Sequence, residues 1–278
     1  MHAGDASRAP LRAIPSAVQS ALLRIPPLSY AAAQLYVLNE EKADLREIAA
    51  LIGTDPSLSA LVLRLVHSPL FSVRQPVTGI LQAVALLGLD RLRALATTAA
   101  LRMMVCPATA TPALTRCWRH SVACALITQD MTANSGLDGD AAYTAGLLHD
   151  IGRFALLSCW PTEYSHLLAT RLPGDEIELE FQALGVSHPD AGAFLLQKWG
   201  LPPELVEVAR KHHSCAPGSQ SSLVELVSRG CNMADTLGFA VRVKTPDDAP
   251  DETRSGLIPS QDPFWIRIAD GINQLDCL

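Results

Sequence analysis

Aromatic residues are scarce in this 278-residue chain, at 5%, whereas apolar residues of all kinds make up 49%. Much of that apolar content is alanine and leucine, which favours closely packed helices over a β-sandwich. No stretch shows the strict alternation of apolar and polar residues that a half-buried strand requires. The sequence therefore predicts an all-α globular protein, long enough for one large core or two helical halves.

Other missing features exclude whole classes of protein. No apolar run approaches the roughly 18 residues that span a bilayer, and the N-terminus lacks a signal-peptide core. The net charge is −6 and there is no long run of lysine and arginine, so we expect no direct binding of nucleic acid. The sequence contains no Gly-x-x-x-x-Gly-Lys loop, dinucleotide-binding glycine fingerprint or Gly-x-Ser-x-Gly elbow. We expect a cytoplasmic protein that does not bind membranes.

Cysteine chemistry is also limited, because the seven cysteines include no Cys-x-x-Cys pair. Cys117, Cys124 and Cys231 lie within apolar helical patterns, where a free cysteine behaves as a small hydrophobic residue. We expect these cysteines to be reduced and part of the core.

Composition divides the chain into four parts. Residues 1–24 mix glycine, proline and polar residues and are predicted to form a loose arm. Helical periodicity then continues to a proline-containing break, which separates a helical half at 25–108 from a second at 109–239. The last part, 240–278, is predicted to be a flap rich in proline, aspartate and glycine, followed by an amphipathic helix.

The segment that suggests chemistry is Ala145 to Arg153. There His149 and Asp150 directly follow an apolar run that must be buried, so two polar side chains reach the inner end of a helix. Adjacent helical residues point about 100° apart, so this pair can straddle one metal ion. A hydrogen-bonded pair without metal is the alternative.

Other polar residues fall on the buried faces of predicted helices. Imidazole and carboxylate groups are suitable ligands for iron, manganese, zinc or nickel, so we expect one or two divalent transition metal ions of undetermined identity. His213 is included because it adjoins His212, although helical phase turns it away. The candidate ligands are His120, His149, Asp150, His188, His212, His213 and Asp235.

Each candidate also has a purely structural explanation. His120 alone would be a core histidine with hydrogen-bond partners, and His188 would cap its helix. His212 and His213 would form a solvated helix end, where the helix dipole favours protonated histidine. Asp235 is the hardest to explain this way, because an unpaired carboxylate would be costly to bury.

Several motifs of the first half resemble the HDOD family, the HD-related output domain of bacterial signalling. They are Ile25-Pro-Pro-Leu, Asp55-Pro-Ser-Leu, the leucine-rich run to His67-Ser, and Ala-Leu-Leu-Gly-Leu-Asp90. One departure is His67, where the family usually carries asparagine. The resemblance covers about residues 20–240 and implies a two-part helical fold whose C-terminal half is like an HD domain.

The resemblance also implies roles for the ligands. The order His120, His149-Asp150, Asp235 is that of the HD phosphohydrolase superfamily, and His188 and His212 fall where the similar HD-GYP phosphodiesterases bring ligands of a second ion. In such enzymes a metal-bound water attacks the phosphorus of a phosphate ester. Asp150 or a hydroxide bridging the ions would then supply the nucleophile.

Two departures from HD-GYP enzymes concern catalysis. No Gly-Tyr-Pro follows His213, and Arg153 stands where those enzymes carry lysine. Arginine stays protonated and binds oxyanions as a fork. Arg153 is therefore predicted to hold phosphate, with Asp150 as the other catalytic candidate.

Three functions remain. The favoured one is a regulatory HDOD module that binds a signalling protein or a nucleotide second messenger and whose metal is structural or sensing. The chain is response-regulator-like but shows no receiver domain, so we expect the input to come from a partner, ligand or metal. The alternatives are an active phosphohydrolase acting on a nucleotide or cyclic dinucleotide, and a helical interaction protein without metal. Metal content and turnover separate the three.

Overall fold

The structure is a computed structural model, and the all-α prediction is confirmed because the part it describes contains helices and no strand. The predicted boundary at 106–110 and most of the predicted flap, 243–262, lie outside the described residues, as do residues 1–12 of the arm. The division into four parts therefore stays a prediction. The described ranges are 13–26, 28–38, 44–67, 76–105, 111–170, 175–214, 222–242 and 263–276.

Fourteen α-helices are found within those ranges, together with a 3-10 turn at Thr132–Asn134 and a π-turn at Asp235–Phe239. Among the described residues, no single helix has the length and apolar character needed to cross a bilayer, and one pair, bent by 117° between Gly53 and Pro56, meets those criteria only when joined. The helices are α1 Ser16–Leu22, α2 Tyr30–Gln34, α3 Leu45–Gly53, α4 Pro56–Val66, α5 Ile80–Met104, α6 Pro112–Met131, α7 Gly139–Leu148, α8 Ile151–Cys159, α9 Pro161–Ala169, α10 Glu176–Leu184, α11 His188–Lys198, α12 Pro203–Lys211, α13 Leu223–Ala234 and α14 Pro263–Asp276.

Local chemistry sets several helix ends. The carboxylate of Asp55 accepts a hydrogen bond from the backbone N–H of Leu58 at 3.0 Å, which satisfies one of the free N–H groups at the start of α4. The side chain of Ser187 caps α11 in the same way. Within α5, Gly88 has a φ of 74°, a left-handed conformation that favours glycine and breaks the helix there.

Helix α5 joins the two halves. It packs against α3 and α4 of the first half and against α7 of the second. Two consecutive threonines make the polar contacts: Thr97 Oγ1 lies 2.7 Å from the hydroxyl of Tyr36, and Thr98 Oγ1 lies 3.1 Å from the hydroxyl of Tyr143 on α7. The halves therefore share one continuous hydrophobic core.

Small residues allow the helices of the second half to approach closely. Gly146 of α7 and Gly230 of α13 both face Thr128 of α6, and a Cβ atom at either glycine would overlap that threonine side chain. Gly152 of α8 lies against the backbone carbonyl of His188, the first residue of α11. The close contact of α8 with α11 brings His188 beside the His149–Asp150 corner.

We predict that Gly152→Ala destabilises the fold by about 1–3 kcal/mol, because the added methyl group would overlap the His188 carbonyl and push α11 away. The free energy of unfolding, measured by urea denaturation, checks this. The matched control is Gly53→Ala at the end of α3, where a Cβ meets no atom within 4 Å. That variant should be neutral or up to about 1 kcal/mol more stable, as alanine favours a helix over glycine. Equal stability of both variants would show that the α8–α11 contact is not tight.

Candidate metal centre

A corner between two helices delivers the central pair of side chains. His149 follows the last residue of α7, and Asp150 precedes the first residue of α8 with a non-helical φ of −103° and ψ of 19°. The other buried histidines come from separate helices, His120 from α6, His188 from the start of α11 and His212 from the end of α12. All five side chains are at most 2% exposed.

The Asp150 carboxylate lies between two pairs of imidazoles. Its Oδ2 atom is 3.7 Å from Nε2 of both His120 and His149. Its Oδ1 atom is 3.4 Å from Nε2 of His188 and 3.3 Å from Nε2 of His212. One carboxylate therefore offers one oxygen to each pair, which is the arrangement of a bridging ligand between two ions.

The opposite ring nitrogens show why the Nε2 atoms face inward. In each of the four buried rings Nδ1 lies within hydrogen-bond distance of an oxygen, and a carbonyl or carboxylate oxygen can only accept, so Nδ1 carries a hydrogen. Each neutral ring then presents the Nε2 lone pair to the centre, as metal-binding histidines do. The acceptors for His120, His149, His188 and His212 are Phe239 O at 3.0 Å, Gly146 O at 2.7 Å, Glu180 Oε2 at 2.7 Å and Ala209 O at 3.0 Å.

Two buried atoms at the middle of the cluster have lone pairs but no hydrogen-bond donor facing them. Asp150 Oδ1 and His212 Nε2 are buried and have no hydrogen-bond partner among the described residues. Buried polar groups are normally satisfied, and lone pairs facing one another at 3.3–3.7 Å repel unless a cation lies between them. The donor set therefore fits a divalent metal ion.

Electrostatics keep most of these groups in the state that binds metal. Burial lowers the pKa of His149 and His188 well below the usual range, so both rings are neutral. Burial alone would raise the pKa of Asp150, but the Arg153 guanidinium holds it well below its usual range. Burial also lowers the pKa of His120, yet its hydrogen bond to Asp235 and the charge of Asp150 raise it overall, so an ion at this ring competes with a proton.

Arg153, which was expected to hold phosphate, contacts two carboxylates in the structure. Its Nε donates to Asp150 Oδ2 at 2.7 Å, and its two terminal nitrogens donate to the Glu176 carboxylate at 2.6 and 3.3 Å. The side chain is buried, and both edges of the guanidinium fork are occupied by carboxylates. Arg153 therefore orients Asp150 and has no free edge with which to hold a phosphate.

Glu180 and Tyr164 support the centre and were not predicted from the sequence. Glu180 Oε2 accepts hydrogen bonds from both the backbone N–H and Nδ1 of His188 at 2.7 Å, and its Oε1 accepts from the Tyr164 hydroxyl at 2.6 Å. A carboxylate behind a histidine fixes the tautomer and orientation of a ligand. The spacing of four from the buried Leu184 is a signal that could have placed Glu180 on the inner face of α10.

Asp235 lies elsewhere than expected. Its side chain is 48% exposed, so the predicted burial is wrong, and its Oδ1 is 3.3 Å from Nδ1 of His120, on the side of the ring that faces away from Asp150. The residue lies where α13 passes into the π-turn, and it keeps a helical φ of −61° and ψ of −43°. Cys231, one helical turn earlier, instead places Sγ 3.5 Å from His120 Nε2.

His213 joins the second pair of histidines although helical phase turned it away. Its Nε2 lies 3.0 Å from Nε2 of His188, and the residue is exposed. Ligand atoms of Asp150, His188, His212 and His213 all lie within 4.8 Å of one another. The structure thus gathers every candidate ligand except Asp235, while metal binding itself stays a prediction.

Residues 25–215, more than half of the chain, match the HDOD domain family. This chain belongs to the HDOD family. The resemblance noted in its sequence is thereby confirmed, and α13 and α14 lie beyond the matched residues.

Two solved structures share the HDOD fold of this chain over nearly its whole length. One, from Shewanella amazonensis SB2B, is provisionally named a phosphohydrolase; it is 25% identical with a TM-score of 0.68 and covers 94% of this chain and 97% of its own. The other, an HDOD domain protein of unknown function from Geobacter sulfurreducens, is 26% identical with a TM-score of 0.64 and covers 96% and 84%.

A curated relative of this HDOD protein is an uncharacterized protein of Treponema pallidum (strain Nichols). It is 28% identical over an alignment of 193 residues, and the match covers 66% of this chain and 37% of the relative. The HDOD chain therefore spans little more than a third of that relative.

We predict that Glu180→Gln weakens metal binding about 10- to 100-fold, because the amide cannot accept as strongly from His188 and loosens the ring. Competition with a chelator measures the affinity. The control is Glu178→Gln on the same helix, whose carboxylate accepts from Gln182 at the surface and should leave the affinity unchanged. Equal affinity in both variants would argue against a supporting role for Glu180.

The double variant His149→Ala/Asp150→Ala should lose the bound metal and keep most of its helical content, because the hydrophobic core continues through both halves. Elemental analysis and far-UV circular dichroism measure the two effects. Unchanged metal content would refute the site, whereas wholesale unfolding of the variant would show that the ion is required for the fold.

Proposed function

We propose that this HDOD protein is a regulatory module of bacterial signal transduction. Its His/Asp centre would hold one or two divalent transition metal ions, with Asp150 as the bridging ligand, in a structural or sensing role. The ligands come from α6, the α7–α8 corner, α11 and α12, so bound ions would cross-link four parts of the fold and add their binding free energy to its stability.

The observation that carries this proposal is the burial of the centre everywhere except at His213. Metal-dependent hydrolysis needs a coordination position open to water and a place for the phosphate. Here five ligand side chains are at most 2% exposed, and the cation beside them, Arg153, is bound to the carboxylates of Asp150 and Glu176. Such a centre is suited to retaining ions rather than exchanging substrate.

Exposed apolar side chains favour a protein as the signalling partner. Several large ones lie in the first half, among them Tyr30 at 69% exposure, Val37 at 66% and Leu81 at 46%. A protein partner that covered such side chains would gain apolar area buried on binding. A nucleotide second messenger is the second candidate for the input.

A phosphohydrolase acting on a nucleotide or cyclic dinucleotide is the alternative function. The observation in its favour is His213, which lies at the exposed edge of the second histidine group and gives that group a side open to solvent. The similar Shewanella protein with the provisional phosphohydrolase name supports the same alternative. Asp150 would then be the catalytic residue nearest to both ions.

The decisive test measures metal and turnover on the same preparation, purified without chelator or nickel column. We expect one to two equivalents of metal per chain and no hydrolysis of cyclic dinucleotides or bis(p-nitrophenyl) phosphate above the rate of His149→Ala/Asp150→Ala. Turnover that saturates with substrate and is lost in Asp150→Asn would establish the hydrolase instead. Metal far below one equivalent, with no uptake of added Mn²⁺, Fe²⁺ or Zn²⁺, would refute the metal centre.

A further inference from the structure

We infer that Cys231 is a thiolate ligand of the ion held by His120 and His149. The centre would then consist of a nitrogen–sulfur position, with Cys231, and a nitrogen–oxygen position, with His188 and His212, joined by the two oxygens of Asp150. This inference rests on the proposed metal centre and adds to it a ligand that the HD order of residues does not include.

The distances around His120 Nε2 are those of neighbouring ligands on one ion. His149 Nε2 lies 3.3 Å away, Cys231 Sγ 3.5 Å and Asp150 Oδ2 3.7 Å. In a tetrahedral zinc site with bonds of 2.0–2.3 Å, ligand atoms are separated by about 3.3–3.8 Å. The three measured separations fall within this range, and the sulfur shares a cluster of 4.8 Å extent with the two imidazoles.

A simple thiol hydrogen bond explains this geometry less well. The hydrogen of Cys231 could be donated to His120 Nε2, but thiols are weak donors. It would leave the lone pair of His149 Nε2 facing the same point without a hydrogen, beside Asp150 Oδ2, which accepts from Arg153 Nε. A cation at that point would accept electron pairs from His120 Nε2, His149 Nε2 and Cys231 Sγ, which lie within 4.8 Å of one another.

Asp235 does not compete for this position. It contacts Nδ1 of His120 and is about half exposed, whereas Cys231 is buried and contacts Nε2 of the same ring. The two residues are one helical turn apart on α13 and its extension. The end of this helix therefore directs the Cys231 sulfur to the Nε2 side of His120 and the Asp235 carboxylate to the Nδ1 side.

Binding requires the thiol to lose its proton to solvent, after which the thiolate donates an electron pair to the ion; no oxidation takes place. Thiolate ligands favour zinc over manganese or magnesium, whereas imidazole and carboxylate ligands are less selective. The two positions should therefore differ in metal preference, with zinc favoured beside Cys231.

Cobalt(II) provides a direct test on the metal-free full chain. Bound cobalt absorbs in the visible region whatever its ligands, and a cobalt–thiolate bond adds a charge-transfer band in the near ultraviolet. We expect wild type to show both, with the near-ultraviolet band saturating at one equivalent. Cys231→Ser should keep visible absorption from the other position, lose the near-ultraviolet band and bind zinc at least about tenfold more weakly.

Two variants serve as controls. Cys124→Ser removes another buried thiol, which faces Val227 O at 3.8 Å, and should keep the band. Asp235→Asn should also keep it, because the carboxylate is not a ligand in this arrangement.

The outcomes separate this inference from the proposed function. Without visible cobalt absorption in wild type, the metal centre itself fails. Visible absorption without the near-ultraviolet band, or a band that survives Cys231→Ser, would overturn the thiolate ligand. Loss of tight binding in Asp235→Asn with an unchanged Cys231→Ser would assign the position to Asp235. If Cys231→Ser does not fold, the wild-type spectrum, compared with that of Cys124→Ser, still decides.

Discussion

The centre depends on one carboxylate shared between two groups of imidazoles. Asp150 can serve both because it occupies a helix corner rather than a helix face, so its two oxygens point to opposite sides. Its orientation is set by Arg153 at 2.7 Å, and its neighbour Gly152 lets α11 approach closely enough to bring His188 within 3.4 Å. A change at any of these residues would disturb both groups together.

The buried charges around Asp150 explain why an arginine lies beside the candidate metal centre. Burial raises the pKa of Glu180, and removing an uncompensated carboxylate from water is costly. Arg153 neutralises this cost by bridging Asp150 and Glu176, while Tyr164 donates to Glu180. Buried ion pairs seldom add much stability. Their role here is to fix the direction in which Asp150 and His188 face.

Local features of the fold could be predicted from the sequence because their causes are local. The cap at Asp55, the break at Gly88 and the close approach at Gly230 follow from residue type and spacing, and helical phase brought most of the candidate ligands to one place. What could not be predicted depends on contacts between distant helices. Glu180 and Glu176 come from α10, where the spacing from Leu184 could place Glu180 on the inner face, but no local feature specifies that it faces His188 or that Glu176 faces Arg153.

Asp235 shows the limit of helical phase most directly. Its backbone is still helical at the end of α13, with φ −61° and ψ −43°, yet the side chain is 48% exposed and reaches Nδ1 of His120 rather than Nε2. Which ring nitrogen a side chain reaches depends on how α13 packs against α6, and the sequence alone does not specify that packing. Cys231, expected as a reduced core residue, is the side chain of α13 that faces His120 Nε2.

The two threonines of α5 have a mechanical consequence. Tyr143 belongs to α7, the helix that His149 follows, and its hydroxyl contacts Thr98 of α5. The preceding residue of α5, Thr97, contacts the hydroxyl of Tyr36 in the first half. A displacement of α7 at the candidate metal corner would therefore act first on Thr98, the residue next to the one that contacts Tyr36. Two hydroxyl contacts at adjacent positions of one helix thus connect the helix beside the buried centre with the first half of the chain.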